Sequence, residues 1–140
     1  MAEVLLGLDV GEARIGLARG ELGSPFAFGR GYLERRSLAE DVARLRRLAA
    51  EEGADRLVVG LPRRTDGDDS AQTARVRAFA AALERAGLAV VFEDERFTSQ
   101  IAAKRVATSG RRRRARQEKG LVDEGAAILI LESFLSRSGV

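Results

Sequence analysis

Three segments that each predict a β-strand precede the first helical pattern of this chain, and this order constrains the fold more than any other feature. The segments Val4 to Asp9, Arg14 to Arg19 and Phe26 to Leu33 are separated by turns that contain Gly11, Gly20, Gly23 and Pro25, which is typical of an antiparallel meander. Beyond them helices alternate with strands. A meander followed by such alternation predicts an α/β fold, with a mixed five-stranded sheet and helices on both faces.

Apolar periodicity and end signals predict the remaining elements. Ser37 and Glu40 fit a capping box at the start of the first helix, and Gly53 is a typical helix stop. The later elements are a buried strand, a helix, a strand and two helices, at Arg56 to Leu61, Ser70 to Ala86, Leu88 to Phe92, Ser99 to Thr108 and Leu121 to Leu135. Since 140 residues are about one domain's worth, we expect residues 1–140 to form a single domain.

The composition narrows the chemistry that is open to the chain. Cysteine, histidine and tryptophan are all absent, which excludes zinc sites, disulfides, catalytic triads and imidazole acid–base catalysis. Any catalysis must use carboxylates, lysines, arginines or hydroxyls. The apolar run Val4 to Leu8 is too short to span a bilayer and has no basic segment before it, so we expect a cytoplasmic protein that does not contact membranes.

Positive charge is concentrated in one segment of the chain. Residues 100–120 carry a net charge of +7, although the whole chain carries only +3. The eight cations of this segment are Lys104, Arg105, Arg111, Arg112, Arg113, Arg114, Arg116 and Lys119. Such asymmetry is typical of a surface that binds a polyanion, although a solvated flexible loop is the common structural alternative.

Carboxylate side chains lie at the ends of three predicted elements that are far apart in the sequence. Asp9 ends the first strand beside the Gly11 turn, and Glu93, Asp94 and Glu95 follow the predicted strand Leu88 to Phe92. Asp123 lies in the first turn of the last predicted helix. Each also has a purely structural interpretation: a turn former for Asp9, a cluster neutralised by Arg96, and a helix-dipole partner for Asp123.

A metal site explains the three acidic positions together. Ligands of α/β sheets gather at the carboxyl ends of parallel strands, and Mg²⁺ and Mn²⁺ prefer oxygen ligands. Because side chains alternate along a strand, we expect only one of Asp94 and Glu95 to share the edge of Asp9, and we favour Glu95. Asp9, Glu95 and Asp123 are therefore the candidate catalytic and metal-binding residues of a phosphoryl-transfer site.

Four separated motifs, in order and in register, resemble the YqgF (RuvX) family over almost the whole chain. They are Gly7 to Gly11 with Arg14 to Ala18, Val58 to Pro62 with Asp66 and Gly67, Asp94 to Thr98, and Asp123 to Ala127 with Ile130 and Leu131. The resemblance implies a ribonuclease H-like fold related to the RuvC Holliday-junction resolvases. It also implies either resolvase activity or maturation of the 5′ end of pre-16S ribosomal RNA.

The same resemblance places the acidic metal-binding positions at Asp9, Glu95 and Asp123. RuvC-type sites carry a fourth acid three residues after the helical one, where this chain has Ala126. A second metal ion is therefore expected to be held weakly, and the sequence leaves open whether one or two ions bind. Glu124 is a poor substitute, because it points about 100° around the helix from Asp123.

Arginines near these acids are the candidate contacts to nucleic-acid phosphates. A guanidinium can hold a phosphate through two hydrogen bonds, and a flexible basic loop adds affinity that does not depend on base sequence. The candidates are Arg14, Arg63, Arg64, Arg96, Lys104, Arg111, Arg112, Arg113 and Arg114.

We therefore expect a Mg²⁺- or Mn²⁺-dependent hydrolase that cleaves phosphodiester bonds in structured nucleic acid, with precursor rRNA favoured over branched DNA. A noncatalytic nucleic-acid binding module, which would not need the acids, is the alternative from another class. An actin-like ATPase or sugar kinase is disfavoured, because those proteins pair two domains of this kind. The sequence leaves open the choice of RNA or DNA, endonuclease or exonuclease, and monomer or weak homodimer.

Overall fold

The computed structural model describes residues 2–63, 69–97 and 115–138, with the backbone alone for residues 115–118. Five strands form one sheet in the order β3-β2-β1-β4-β5. The strand β1 is antiparallel to β2 and parallel to β4, while β2–β3 is antiparallel and β4–β5 parallel. Their bounds are β1 Val4–Val10, β2 Arg14–Glu21, β3 Ala27–Glu34, β4 Arg56–Leu61 and β5 Val90–Asp94.

Two of the three α-helices in the described residues begin at local capping signals. The helix α1 (Leu38–Glu52) has Ser37 as N-cap, accepting from the Glu40 amide, and ends at Gly53 in the left-handed conformation. The helix α2 (Ala71–Arg85) begins after a capping box between Ser70 and Thr73. The helix α3 covers Ala115–Ser138. The predicted helix Ser99 to Thr108 lies outside the described residues.

The sheet separates two apolar cores, which confirms the predicted helices on both faces. On one face, α1 and α2 pack through Leu45 and Phe79 against large aliphatic side chains of the strands. On the other face, α3 packs through Ala127 and Leu131 against residues such as Leu5. Because successive side chains of a strand point to opposite faces, β1 supplies both cores with its alternate residues.

The predicted boundaries of β5 are wrong by two residues at each end. The Leu88 amide donates to the Leu83 carbonyl at the end of α2 rather than joining the sheet. At the other end the strand continues to Asp94, since Glu93 and Asp94 pair with Gly60 and Leu61 of β4. Glu93 and Asp94 therefore belong to the strand, and only Glu95 follows it.

The last helix begins six residues earlier than predicted. Residues 115–119 favour a helix by composition, and Gly120 does not end it, because its missing side chain leaves room for the ring of Tyr32. The prediction that Asp123 lies in the first turn is therefore wrong: it lies eight residues inside the helix. None of the helices formed by the described residues is long and apolar enough to cross a membrane.

Candidate active site

Asp9 lies near the carboxyl end of β1, on the sheet face that α3 covers. It is 3 % exposed and pairs in register with Gly16 of β2. Alternation along β1 places it on the same face as Leu5 and Gly7. A side chain on Gly7 would lie 2.8 Å from Cβ of Leu131 in α3. The carboxylate of Asp9 therefore emerges between the sheet and α3.

Asp123 reaches this edge because α3 lies unusually close to the sheet there. A side chain on Gly16 would overlap the backbone carbonyl of Asp123, so only glycine permits the approach. Since Gly16 is the strand partner of Asp9, the helix delivers Asp123 next to Asp9. Arg14 Nε donates to Asp123 Oδ2 at 2.8 Å, and both side chains are 18 % exposed.

Glu95 begins a 3-10 turn, Glu95–Phe97, directly after β5. Its Oε2 would lie 2.9 Å from a Cβ placed on Gly60 of β4. The pairing of β1 with β4 ends at Leu8 and Val59, and Asp9 and Gly60 are the next residues along the two strands. Glu95 thus lies over the position beside Asp9, on the face of α3, as the alternation argument predicts.

The backbone brings these three carboxylate-bearing residues to one edge and one face of the sheet. Within residues 2–63, 69–97 and 115–138, however, no three acidic side chains are arranged as a ready-made metal cluster. The donor chemistry still fits a hard divalent cation, because all three side chains offer carboxylate oxygens. Arg14 currently balances the charge of Asp123.

Asp94 lies on the opposite side of the strand from Glu95 and is held by arginines. Arg96 Nη2 lies 2.7 Å and Arg63 Nη1 lies 3.6 Å from Asp94 Oδ2. The hydrogen bonds from Arg96 hold the pKa of Asp94 below its usual range, despite the opposing effect of partial burial. The ion pair of Arg96 with this acidic segment, which the sequence offered as the structural alternative, is present.

Glu93, which like Asp94 belongs to β5 and does not follow it, is the acid of this segment that contacts α3. It is fully buried under α3, where Ser133 and Arg137 hydrogen-bond its carboxylate. Sequence reasoning did not single out Ser133 or Arg137. Their spacing of four residues puts them on one helix face, but nothing in the sequence showed which strand that face meets.

The arginines predicted to contact phosphates divide into two groups. Arg14, Arg63 and Arg96 are described, and each forms an ion pair with a carboxylate near the candidate site. The remaining candidates, which lie outside the described residues, are Arg64, Lys104, Arg111, Arg112, Arg113 and Arg114.

Solved structures with a similar backbone include RuvC of Thermus thermophilus. In complex with a Holliday junction substrate it matches with a TM-score of 0.57 and 15 % identity, over 98 % of both chains. A second structure of this RuvC matches with a TM-score of 0.51 and 15 % identity, over 96 % of this chain and 95 % of RuvC. These matches confirm the predicted ribonuclease H-like fold.

Sequence comparison supplies the family. A Thermus thermophilus protein named "Putative pre-16S rRNA nuclease" is 50 % identical over 130 residues, covering 93 % of this chain and 95 % of that protein. "Ribonuclease YqgF" of Deinococcus radiodurans is 44 % identical, covering 95 % and 88 %. The family model RuvX, described as Holliday junction resolvase, matches residues 3–137. With its motifs, fold and relatives in agreement, the chain belongs to the RuvX (YqgF) family.

Proposed function

We propose that residues 1–140 form a single cytoplasmic nuclease domain that hydrolyses phosphodiester bonds in structured nucleic acid with the help of Mg²⁺ or Mn²⁺. The observation that supports this proposal is that the backbone brings Asp9, Glu95 and Asp123 to one edge and one face of the sheet. This edge is formed by the carboxyl ends of the parallel strands, where ligands of α/β sheets bind.

Asp9, Glu95 and Asp123 are the residues that would hold the cation. When bound, a divalent ion stabilises the charge that develops on the phosphate and makes water a stronger nucleophile. The protein's own contribution is a backbone that brings the three carboxylate-bearing residues to one edge of the sheet, where Asp9 is almost fully buried. A cation would bind there by drawing the carboxylates together, and Asp123 would have to exchange its ion pair with Arg14 for it.

Arginines at the same edge would bind the substrate backbone. Arg14 lies beside Asp123, while Arg63 and Arg96 share Asp94. A phosphate can compete with these carboxylates for the guanidinium groups, which suit bidentate contacts. Arg64, Lys104 and Arg111 to Arg114 would add affinity through charge alone.

The favoured substrate is the 5′ region of pre-16S rRNA, and branched DNA is the second candidate. The first choice rests on the name of the relative with 50 % identity. The second rests on the description of the RuvX family model and on the fold shared with RuvC. A binding module without catalysis is the remaining alternative, and it would not need Asp9.

The decisive experiment compares cleavage of precursor rRNA and of a four-way DNA junction by the wild type and by Asp9→Asn, with Mg²⁺ or Mn²⁺. The wild type should cleave the RNA. Asp9→Asn should reduce the cleavage rate by about 100-fold or more, because it removes a charge on which cation binding depends. Binding of nucleic acid should be retained, since no arginine is changed.

Each other result has a definite meaning. Cleavage of the junction alone would replace the rRNA substrate by branched DNA. Equal rates for the wild type and Asp9→Asn would remove Asp9 from the site. Binding of either substrate without cleavage at any cation concentration would favour the noncatalytic module.

A further inference from the structure

We propose that Glu93 and Arg137 are positioning residues that hold the turn Glu95–Phe97 against α3 and so place Glu95 relative to Asp123. The proposal rests on the nuclease function proposed above. It concerns two side chains that the metal site itself does not use, and it assigns a role to the carboxyl-terminal part of α3.

The contact between Glu93 and α3 is buried and has several hydrogen bonds. Glu93 is fully buried. Arg137 donates from Nη2 to Glu93 Oε1 at 2.5 Å and from Nε to Glu93 Oε2 at 3.2 Å, while Ser133 Oγ donates to Oε2 at 2.6 Å. The bidentate hydrogen bonds from Arg137 define both the distance and the angle between β5 and the helix.

The same guanidinium also contacts the far end of the turn. Cζ of Arg137 lies 4.8 Å from the centre of the Phe97 ring, within the range of a cation–π interaction. Glu95 therefore lies between two residues, Glu93 and Phe97, that are both held by Arg137. The hydrogen bonds with Glu93 raise the pKa of Arg137, so the guanidinium keeps its charge and both contacts.

The helix that holds Glu95 in this way is the helix that carries Asp123. Along α3, Asp123 lies over Gly16 of β2, Ile130 lies over Gly60 of β4, and Arg137 meets Glu93 of β5. A continuous helix is stiff over this length, so the Arg137 contact transmits the position of Asp123 to the turn that bears Glu95. The two acids are thereby placed by one element.

Stability alone is a weak reason for this buried pair. Replacing a buried ion pair by apolar side chains of similar volume is often neutral or stabilising. Arg137 is itself 52 % exposed, so an apolar side chain at position 93 would have packed under α3 without a charged partner. What the ion pair adds is a defined geometry next to Glu95.

The test compares Arg137→Gln with a matched control, Arg56→Gln. Arg56 also pairs with a glutamate, Glu3, at 2.5 Å and lies 5.7 Å from a phenylalanine ring, Phe134. It is located at the amino end of β4, far along the strand from the candidate site. The two substitutions therefore remove the same kinds of contact. Arg56 makes them at the amino end of β4, with Phe134 of α3 as its ring partner, and Arg137 makes them at the carboxyl end of β5.

Two measurements read out the positioning. Calorimetric titration with Mn²⁺ should show binding weakened by about 10- to 100-fold in Arg137→Gln, the range seen when a supporting partner of metal ligands is lost. Hydrogen exchange of residues 94–97 should become faster in the same variant, without any substrate or metal. Arg56→Gln should match the wild type in both, and Arg137→Lys should recover part of the Mn²⁺ affinity.

Equal behaviour of Arg137→Gln and Arg56→Gln in exchange at residues 94–97 would overturn the proposal. If Arg137→Gln does not fold, Phe97→Leu removes only the ring contact, and unchanged exchange at residues 94–96 in that variant would overturn it as well. Cleavage by Asp9→Asn tests the nuclease function separately. If Asp9→Asn cleaves at the wild-type rate, the metal site is rejected, but the hydrogen-exchange result for Arg137→Gln still holds.

Discussion

The two faces of the sheet are built from different side chains and do different work. The face under α1 and α2 consists of large aliphatic residues and Phe79. The face under α3 includes the buried alanines Ala18 and Ala27, which meet Ala126 and Ala127 of the helix, and glycines against which the helix backbone packs. Large side chains stabilise by burial but hold a helix away from the sheet. Small side chains allow the backbone of α3 to approach the sheet, and this close approach places Asp123 over Gly16, the strand partner of Asp9.

The largest expected effect is a loss of stability on substitution, and its consequence for cleavage should differ between the two faces of the sheet. Leu45→Ala, on the face of α1, should lower the free energy of unfolding by about 2–5 kcal/mol by leaving a cavity. Gly16→Ala should lower it by about 1–3 kcal/mol by overpacking, because the new Cβ overlaps the Asp123 carbonyl. Only Gly16→Ala should also reduce cleavage by folded protein, since it moves α3 away from Asp9. Urea unfolding and single-turnover cleavage measure the two effects.

Leu45→Ala serves as the control for general loss of stability. A Gly16→Ala protein that is folded and cleaves at the wild-type rate would show that the close approach of α3 is not needed for activity. The difference between the faces would then concern packing alone.

A smaller effect on stability, which depends on pH, is expected from a charged residue that is buried on the face of α1 and α2. Asp41 of α1 is fully buried. Burial raises the pKa of Asp41, but hydrogen bonds from Arg35, the Arg36 amide and Arg44 together lower it by more. The net pKa is therefore below the ordinary value. A lowered pKa contributes stability that is present above about pH 4 and is lost as the pH falls through the folded-state value.

Asp41→Asn should therefore be less stable than the wild type at pH 7, and the difference should shrink as the pH falls below about 4. Urea unfolding of both proteins between pH 7 and pH 3 measures it. Cleavage at pH 7 by the folded fraction should be unchanged, in contrast to Gly16→Ala. If the stability difference does not change with pH, the contacts of Arg35 and Arg44 with Asp41 do not stabilise the fold through the charge of Asp41.

The smallest expected effect is on nucleic-acid affinity. Arg63→Gln should reduce the slope of log K against log salt by about 0.7 to 0.9, the contribution of one phosphate contact. Arg47→Gln, at an exposed position of α1, should leave the slope unchanged. Binding titrations at several salt concentrations measure both. Equal slopes for the two variants would place the phosphate contacts away from Arg63.

Local signals were sufficient for much of the fold and for the choice of acids. The helix caps Ser37 and Gly53 and the strand Arg56–Leu61 were correctly predicted, because caps and apolar runs act over a few residues. Alternation along a strand, a property of the backbone, indicated that only one of Asp94 and Glu95 shares the face of Asp9, and the favoured residue, Glu95, lies on that face. The catalytic role of these acids remains a prediction.

The tertiary structure decided the features that depend on distant partners. The strand β5 ends at Asp94 because β4 continues to pair with it, and Glu93 can be buried because Arg137, 44 residues away on α3, hydrogen-bonds its carboxylate. The carboxylate of Glu124 accepts a hydrogen bond from the Gly31 amide of β3. No local pattern contains these partners, since they meet only when the strands pair and α3 packs across the sheet. The sequence by itself therefore determined most of the elements and supplied the candidate acids, while the packing of α3 decided that the residues carrying them lie at one edge and one face of the sheet.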